Sequence, residues 1–139
     1  MAQIQTASTR AAAPQRALEN RAMMLAVATW FVPGLGYFLL KKWVRGGLIV
    51  ASVLGMFALG LALQGKVYPF NLGDILDILG WVGDICNGAV YFIVRLVGGG
   101  AGNPYTVMGD YGTKFMIASG LLNVLAAADV RDLVMGRKK

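Results

Sequence analysis

The chain has 139 residues, 57% of them hydrophobic and only 14% charged, with a mean hydropathy of +0.60. Soluble domains carry about 25% charged residues, so this composition excludes an ordinary water-soluble domain and fits one embedded in lipid. The formal charge is +6, there is no histidine, and Cys86 is the one cysteine. That excludes an intramolecular disulfide, a histidine-ligated haem or zinc, and any histidine-based triad within the chain. A positive balance suits nucleic acid or anionic lipid. The cations gather at the edges of apolar runs, which selects membrane lipid as a partner and speaks against nucleic acid.

Residues 1–15, MAQIQTASTRAAAPQ, are small and polar and have little to bury, so a flexible segment is expected. Arg10, Arg16 and Arg21 precede an apolar stretch as in a signal peptide. No small-residue cleavage pattern follows and the run continues past Pro33, so no cleavage is expected. A helical pattern starts at Arg16. The first apolar segment is Met23–Leu40, interrupted by Pro33-Gly34-Leu35-Gly36. Pro33 has no N–H for the carbonyl of Thr29 and its ring clashes there, so the helix kinks or ends. The glycines remove the steric barrier to a turn. Met23–Val32 has 10 residues and is too short to cross a bilayer, because about 20 residues span the roughly 30 Å hydrocarbon core. Tyr37 and Trp43 suit the headgroup level. Lys41, Lys42 and Arg45 are candidate contacts to lipid phosphate.

The second segment, Gly46–Leu63, has 18 residues without a charge and is the clearest span. Its pairs Ala51–Gly55 and Ala58–Ala62 have the spacing of helix-packing seams. The third segment, Ile75–Val97, contains Asp77, Asp84 and Arg95. The fourth, Phe115–Ala128, has 14 residues and needs flanking turns to span. The connections, 64–73 and 98–114, are rich in Gly, Pro and Asn. GGGAGNP lacks the Lys-Ser/Thr ending of a phosphate loop and follows no strand. The pattern predicts an all-α integral membrane protein with about four transmembrane or membrane-embedded helices, the first broken at Pro33–Gly36. Residues 16–132 form one membrane domain and residues 133–139 a basic tail.

On a continuous helix over 74–95, Asp74, Asp77, Trp81, Asp84, Gly88, Tyr91 and Arg95 fall within an arc of roughly 100°. A carboxylate facing lipid costs several kcal/mol, so this stripe is expected to face other helices, water or a partner. Asp84 and Arg95 stand about 16 Å apart along such a helix and do not pair. Asn123 is one candidate neighbour for Asp84, and Ser119, Asn123 and Ala127 share a small, polar seam. Asp77, Asp84, Arg95 and Asn123 are therefore the candidate helix-partner contacts. With four spans, eight basic residues lie on the side of the termini and five, including Lys41, Lys42 and Arg45, on the other. The positive-inside rule then puts both termini in the cytoplasm of a multi-pass protein of the bacterial inner membrane.

No nucleophile, base or metal-ligand set assembles from these residues, so neither catalysis nor a cofactor is expected. The leading expectation is a non-catalytic membrane subunit or scaffold, an accessory component of a larger complex such as a respiratory or photosynthetic one, with other membrane subunits as partners. The alternative is a small ion or proton transporter using Asp77 and Asp84.

The stretch VPGLGYFLLKKWVRGGLI is similar to the proline-glycine-leucine-glycine hairpin of small bacterial membrane proteins and, more distantly, to the two-transmembrane-helix hairpin domain. DYGTKFMIASGLLNVLAAADVRD resembles the end of an uncharacterised four-helix family of the same kind. Together these cover about residues 20–132. The resemblance implies a membrane hairpin fold and carries over no functional residue.

Overall fold

The computed structural model describes residues 2–138, with side chains from residue 13 onward. Six helices follow one another: α1 (Ala2–Phe31), α2 (Leu35–Leu39), α3 (Trp43–Ala62), α4 (Ile75–Ile85), α5 (Ala89–Leu96) and α6 (Val107–Val134). No strand occurs among the described residues. An isolated antiparallel bridge joins Lys66 to Ala101. The flexibility expected for residues 1–15 falls mostly on side chains outside the described ones.

Helix α6 is the axis on which α1, α3 and α4 pack. It begins earlier than Phe115, because Thr106 caps it by accepting from the Gly109 N–H at 3.1 Å. The expected connection 98–114 is therefore shorter. Helix α3 runs antiparallel to α6. Its first turns share a cavity with Asp129 and Lys138, and at its far end Gly60 lies against Gly112 and Met116. One end of the molecule thus holds the start of α3 and the end of α6, here termed the terminal end. The opposite loop end holds the connections around Lys66 and Ala101.

The buried residues of α3 are Gly46, which lies against Tyr37 and Phe38 of α2, and Val53, Phe57 and Gly60, of which Gly60 meets Gly112 and Met116 of α6. This corrects the expected seam. Ala51, Gly55, Ala58 and Ala62 are exposed, and a Cβ on Gly55 would meet nothing within 4 Å. Bulk decides the face: Val53 and Phe57 bury far more apolar area than the alanines would.

Helix α1 runs antiparallel to α6 from the terminal end. Leu25 packs against the buried cluster of Tyr37, Ala126 and Val130, and the Trp30 carbonyl reaches Asn123. The chain then turns at Val32–Gly34, where Gly34 takes φ 80°, a left-handed value that suits glycine. The fully buried Thr29 hydroxyl donates to the Leu25 carbonyl (2.7 Å) and accepts from the Gly36 N–H (3.0 Å). This side chain replaces the ladder that Pro33 breaks. Helix α2 returns beside α1, with Leu39 near Met24 and Leu25. So α1 and α2 form a hairpin that enters from the terminal end and goes back to it.

The third apolar segment does the same from the loop end. It is not one helix: α4 and α5 meet at 110°, and the break is at Asn87–Gly88. Gly88 has φ 61°, and a Cβ there would meet the Trp30 carbonyl oxygen and, at 2.8 Å, that of Phe31. The two hairpin tips touch at this point. The continuous polar stripe expected over 74–95 is therefore divided, because the bend turns α5 away from the line of α4. Of the four expected crossings, α3 and α6 are each long and apolar enough to cross a membrane, and α4 with α5 passes the same test only as a bent pair.

The return of α1–α2 also relocates the basic patch. Arg45 lines the same cavity as Lys138, so KKWVR shares the terminal end with the C-terminus. Among the described side chains, Arg16, Arg21, Lys41, Lys42, Arg45, Arg131, Arg137 and Lys138 stand at that end. Lys66, Arg95 and Lys114 stand at the other, which makes eight against three.

Candidate functional site

A group of fully buried polar side chains sits where the hairpin tips meet α6. Asn123 is fully buried and lies near the centre of the apolar stretch Phe115–Ala128. Its Nδ2 donates to the Trp30 carbonyl at 2.7 Å and to the Cys86 carbonyl at 2.9 Å. These carbonyls end α1 and α4, where the last turn of a helix leaves its acceptors unpaired. Within lipid no water reaches them, so one amide closes two helix ends at once. One turn earlier on α6, the Ser119 hydroxyl donates to Asn87 Oδ1 at 2.5 Å, and Asn87 Nδ2 donates to the Met116 carbonyl at 3.0 Å. Both residues are fully buried. Ser119, Asn123 and Ala127 do lie on one buried face, as their spacing implies.

Asp84 is also fully buried, but it does not bond to Asn123. Its Oδ2 accepts from the Tyr68 N–H at 2.8 Å, and the Tyr91 hydroxyl donates to the Tyr68 carbonyl at 3.2 Å. The neighbouring N–H groups are held as well. Lys66 donates to Thr113 Oγ1 at 3.0 Å and Val67 to the Gly100 carbonyl at 2.9 Å. The segment 66–68 is thereby threaded against protein with each N–H satisfied. Burial pushes the Tyr68 phenol above its ordinary value, and the nearby carboxylates add to that. Asp84 Oδ1 and Asn123 Oδ1 have no protein partner among the described residues.

The other expected contacts stand apart. Asp77 is half-buried at the loop end, where Asn71 Nδ2 approaches it at 3.4 Å. Arg95 is exposed on α5, beyond the bend, and has no ion pair among the described residues. Lys41, Lys42 and Arg45 form the turn into α3, with Lys41 at φ 58°. Sequence reading missed Asn87, Tyr68 and Thr113, named Thr29 only for its carbonyl, and placed Tyr91 on the polar stripe without its Tyr68 partner. The dipeptide Asn87-Gly88 was an available turn signal; the roles of the others depend on long-range contacts.

The Asp84 clamp makes a direct prediction. Asp84→Asn retains an acceptor for the Tyr68 N–H, so its thermal midpoint in detergent is expected to stay within a few degrees of the parent. Asp84→Leu removes the acceptor and leaves that N–H partly buried and unpaired, at about 1–3 kcal/mol. Equal losses for the two variants would remove the clamp as the role of this side chain.

Two antiparallel apolar helices, with two helical hairpins meeting inside them on a buried asparagine, define a helical protein of the membrane. Residues 24–139 match the family of unknown function DUF6677, and the chain belongs to that family. Comparison with curated proteins and with solved structures finds no match.

Proposed function

We propose that this protein is a non-catalytic subunit or scaffold of the bacterial inner membrane, an accessory component of a larger complex such as a respiratory or photosynthetic one. The observation that carries this reading is the shape of α1. From Ala22 onward α1 packs on the bundle, whereas side chains 13–21 are exposed on every face. An isolated helical stretch of this length is marginal in water, so a partner surface accounts for a helix extended past its own core. The buried polar side chains support the same reading, since Asn123, Asn87, Thr29 and Asp84 all hold backbone. The likeness of Val32–Ile49 to the two-transmembrane-helix hairpin domain belongs to this proposal as an architectural corner.

Mild extraction from native membranes and native sizing test it. A complex larger than the 14.8 kDa chain, with another chain co-purifying and lost on deletion of residues 2–19, is expected. A lone monodisperse species would end the reading.

Eight cations against three support a cytoplasmic terminal end. In a Cys86→Ser background, an impermeant maleimide added to intact spheroplasts is expected to label the Tyr105→Cys variant and spare the Lys138→Cys variant. The reverse pattern would invert the topology.

The second reading, an ion or proton path through Asp77 and Asp84, draws on the fully buried Asp84 and its unpartnered Oδ1. It requires flux in proteoliposomes that Asp84→Asn abolishes. Absence of flux in the parent would dismiss it.

A further inference from the structure

Between α3 and the end of α6 lies an open cavity of about 570 Å³, lined by Tyr37, Arg45, Leu48, Ile49, Asp129 and Lys138. Arg45, Leu48 and Ile49 stand at i, i+3 and i+4 and so share one face of α3, charged at the end and apolar below. Lys138 Nζ donates to Asp129 Oδ1 at 2.7 Å, and the Tyr37 hydroxyl donates to Asp129 Oδ2 at 2.8 Å. Both carboxylate oxygens are thus engaged within the wall. Arg45 is exposed and has no ion pair among the described residues, and the Lys138 ammonium retains two further donors. Against the eight described cations at this end stand three carboxylates, Glu19, Asp129 and Asp132, for a net charge of 8 − 3 = +5.

We propose that this cavity binds one anionic phospholipid, with its phosphate on Arg45 and Lys138 and an acyl chain along Leu48 and Ile49. A basic pocket between membrane helices at the cytoplasmic headgroup level has the chemistry of an acidic lipid site. The apolar wall selects a lipid over a free phosphate. The net positive charge, with Asp129 already engaged, selects an anionic headgroup over a zwitterionic one. The site narrows the broader expectation for the basic patch: Arg45 lines the cavity, while Lys41 and Lys42 lie outside its lining. It rests on the reading of the terminal end as a headgroup layer and is independent of any partner subunit.

The test is native mass spectrometry of the purified full chain in neutral detergent. It is titrated with phosphatidylglycerol or with phosphatidylcholine of the same acyl chains. One phosphatidylglycerol is expected to be retained at least tenfold more tightly than phosphatidylcholine. Arg45→Gln and Lys138→Gln are each expected to weaken it roughly fivefold, the effect of one cation near a lipid phosphate. Lys66→Gln, at the loop end, is expected to change nothing. Arg45 is exposed, and helical content by circular dichroism is expected to match the parent. Equal retention of the two lipids, or parental affinity in both Arg45→Gln and Lys138→Gln, would overturn the proposal. So would displacement of the lipid by glycerol 3-phosphate at matching concentration, which would make this a free-phosphate site. The titration needs no second chain, so a failure of the subunit reading and a failure of this site are separable.

Discussion

Replacing Asn123 with leucine is expected to cost about 2–4 kcal/mol of stability, read by unfolding in mixed micelles. The side chains are similar in size, so the change removes hydrogen bonds more than volume. It strands the Trp30 carbonyl and the Cys86 carbonyl, each at the end of a helix and each partly buried, where lipid offers no donor. An unpaired buried acceptor costs about 1–3 kcal/mol. Side-chain hydrogen bonds in membranes average nearer about 0.6 kcal/mol, because the unfolded state also finds partners. Two lost acceptors give about 1 kcal/mol at the lower figure and up to about 6 kcal/mol at the higher one, and the stated range lies between them. The loss also acts on both hairpins at once, so Cys86, beside the α4–α5 tip, is expected to become more accessible to a thiol reagent in this variant. A loss under about 0.5 kcal/mol would mean that the two carbonyls find other donors and that Asn123 does not hold the tips together.

The second large effect is expected where α3 crosses α6. A Cβ on Gly112 would lie 2.6 Å from the Gly60 carbonyl oxygen, 2.8 Å from the Gly65 nitrogen and 3.0 Å from its Cα. All three are backbone atoms, which cannot rotate away as a side chain can. Gly112→Val therefore forces the helices apart and is expected to cost about 3 kcal/mol or more, at the upper end of overpacking losses. Gly55→Ala is the matched control on the same helix pair. Its Cβ meets nothing within 4 Å, so it is expected to raise stability by about 0.5–1 kcal/mol through backbone entropy alone. Similar behaviour of the two substitutions would show that the α3–α6 contact is looser than its geometry.

The apolar character of this chain was legible residue by residue. Gly46–Leu63, 18 residues without a charge, announces α3 with its ends nearly in place. The start of α6 was less legible, because Asp110, Lys114 and two glycines read as loop until the Thr106 cap is recognised. The break at Asn87–Gly88 was masked by apolar residues on both sides, although its dipeptide is a turn signal. Asp84, Asp77 and Arg95 were grouped by helical periodicity, and a single bend of 110° separated them.

Sidedness shows the limit most plainly. A run of 10–20 apolar residues satisfies lipid whether it crosses or turns back, since hydropathy counts buried area and not direction. Counting four crossings put Lys41, Lys42 and Arg45 opposite the termini. The α1–α2 hairpin returns them to the terminal end.

Composition and hydropathy alone determined that this is a helical chain for lipid, without histidine chemistry and with its cations at the edges, because each of these is a sum over individual residues. The tertiary structure decided which helices are long and apolar enough to cross, where the hairpins turn and which polar groups meet. Those outcomes hang on hydrogen bonds such as Asn123 to Trp30 and Asn123 to Cys86, which join residues 93 and 37 positions apart. Partners so distant in the chain leave no local pattern in the sequence.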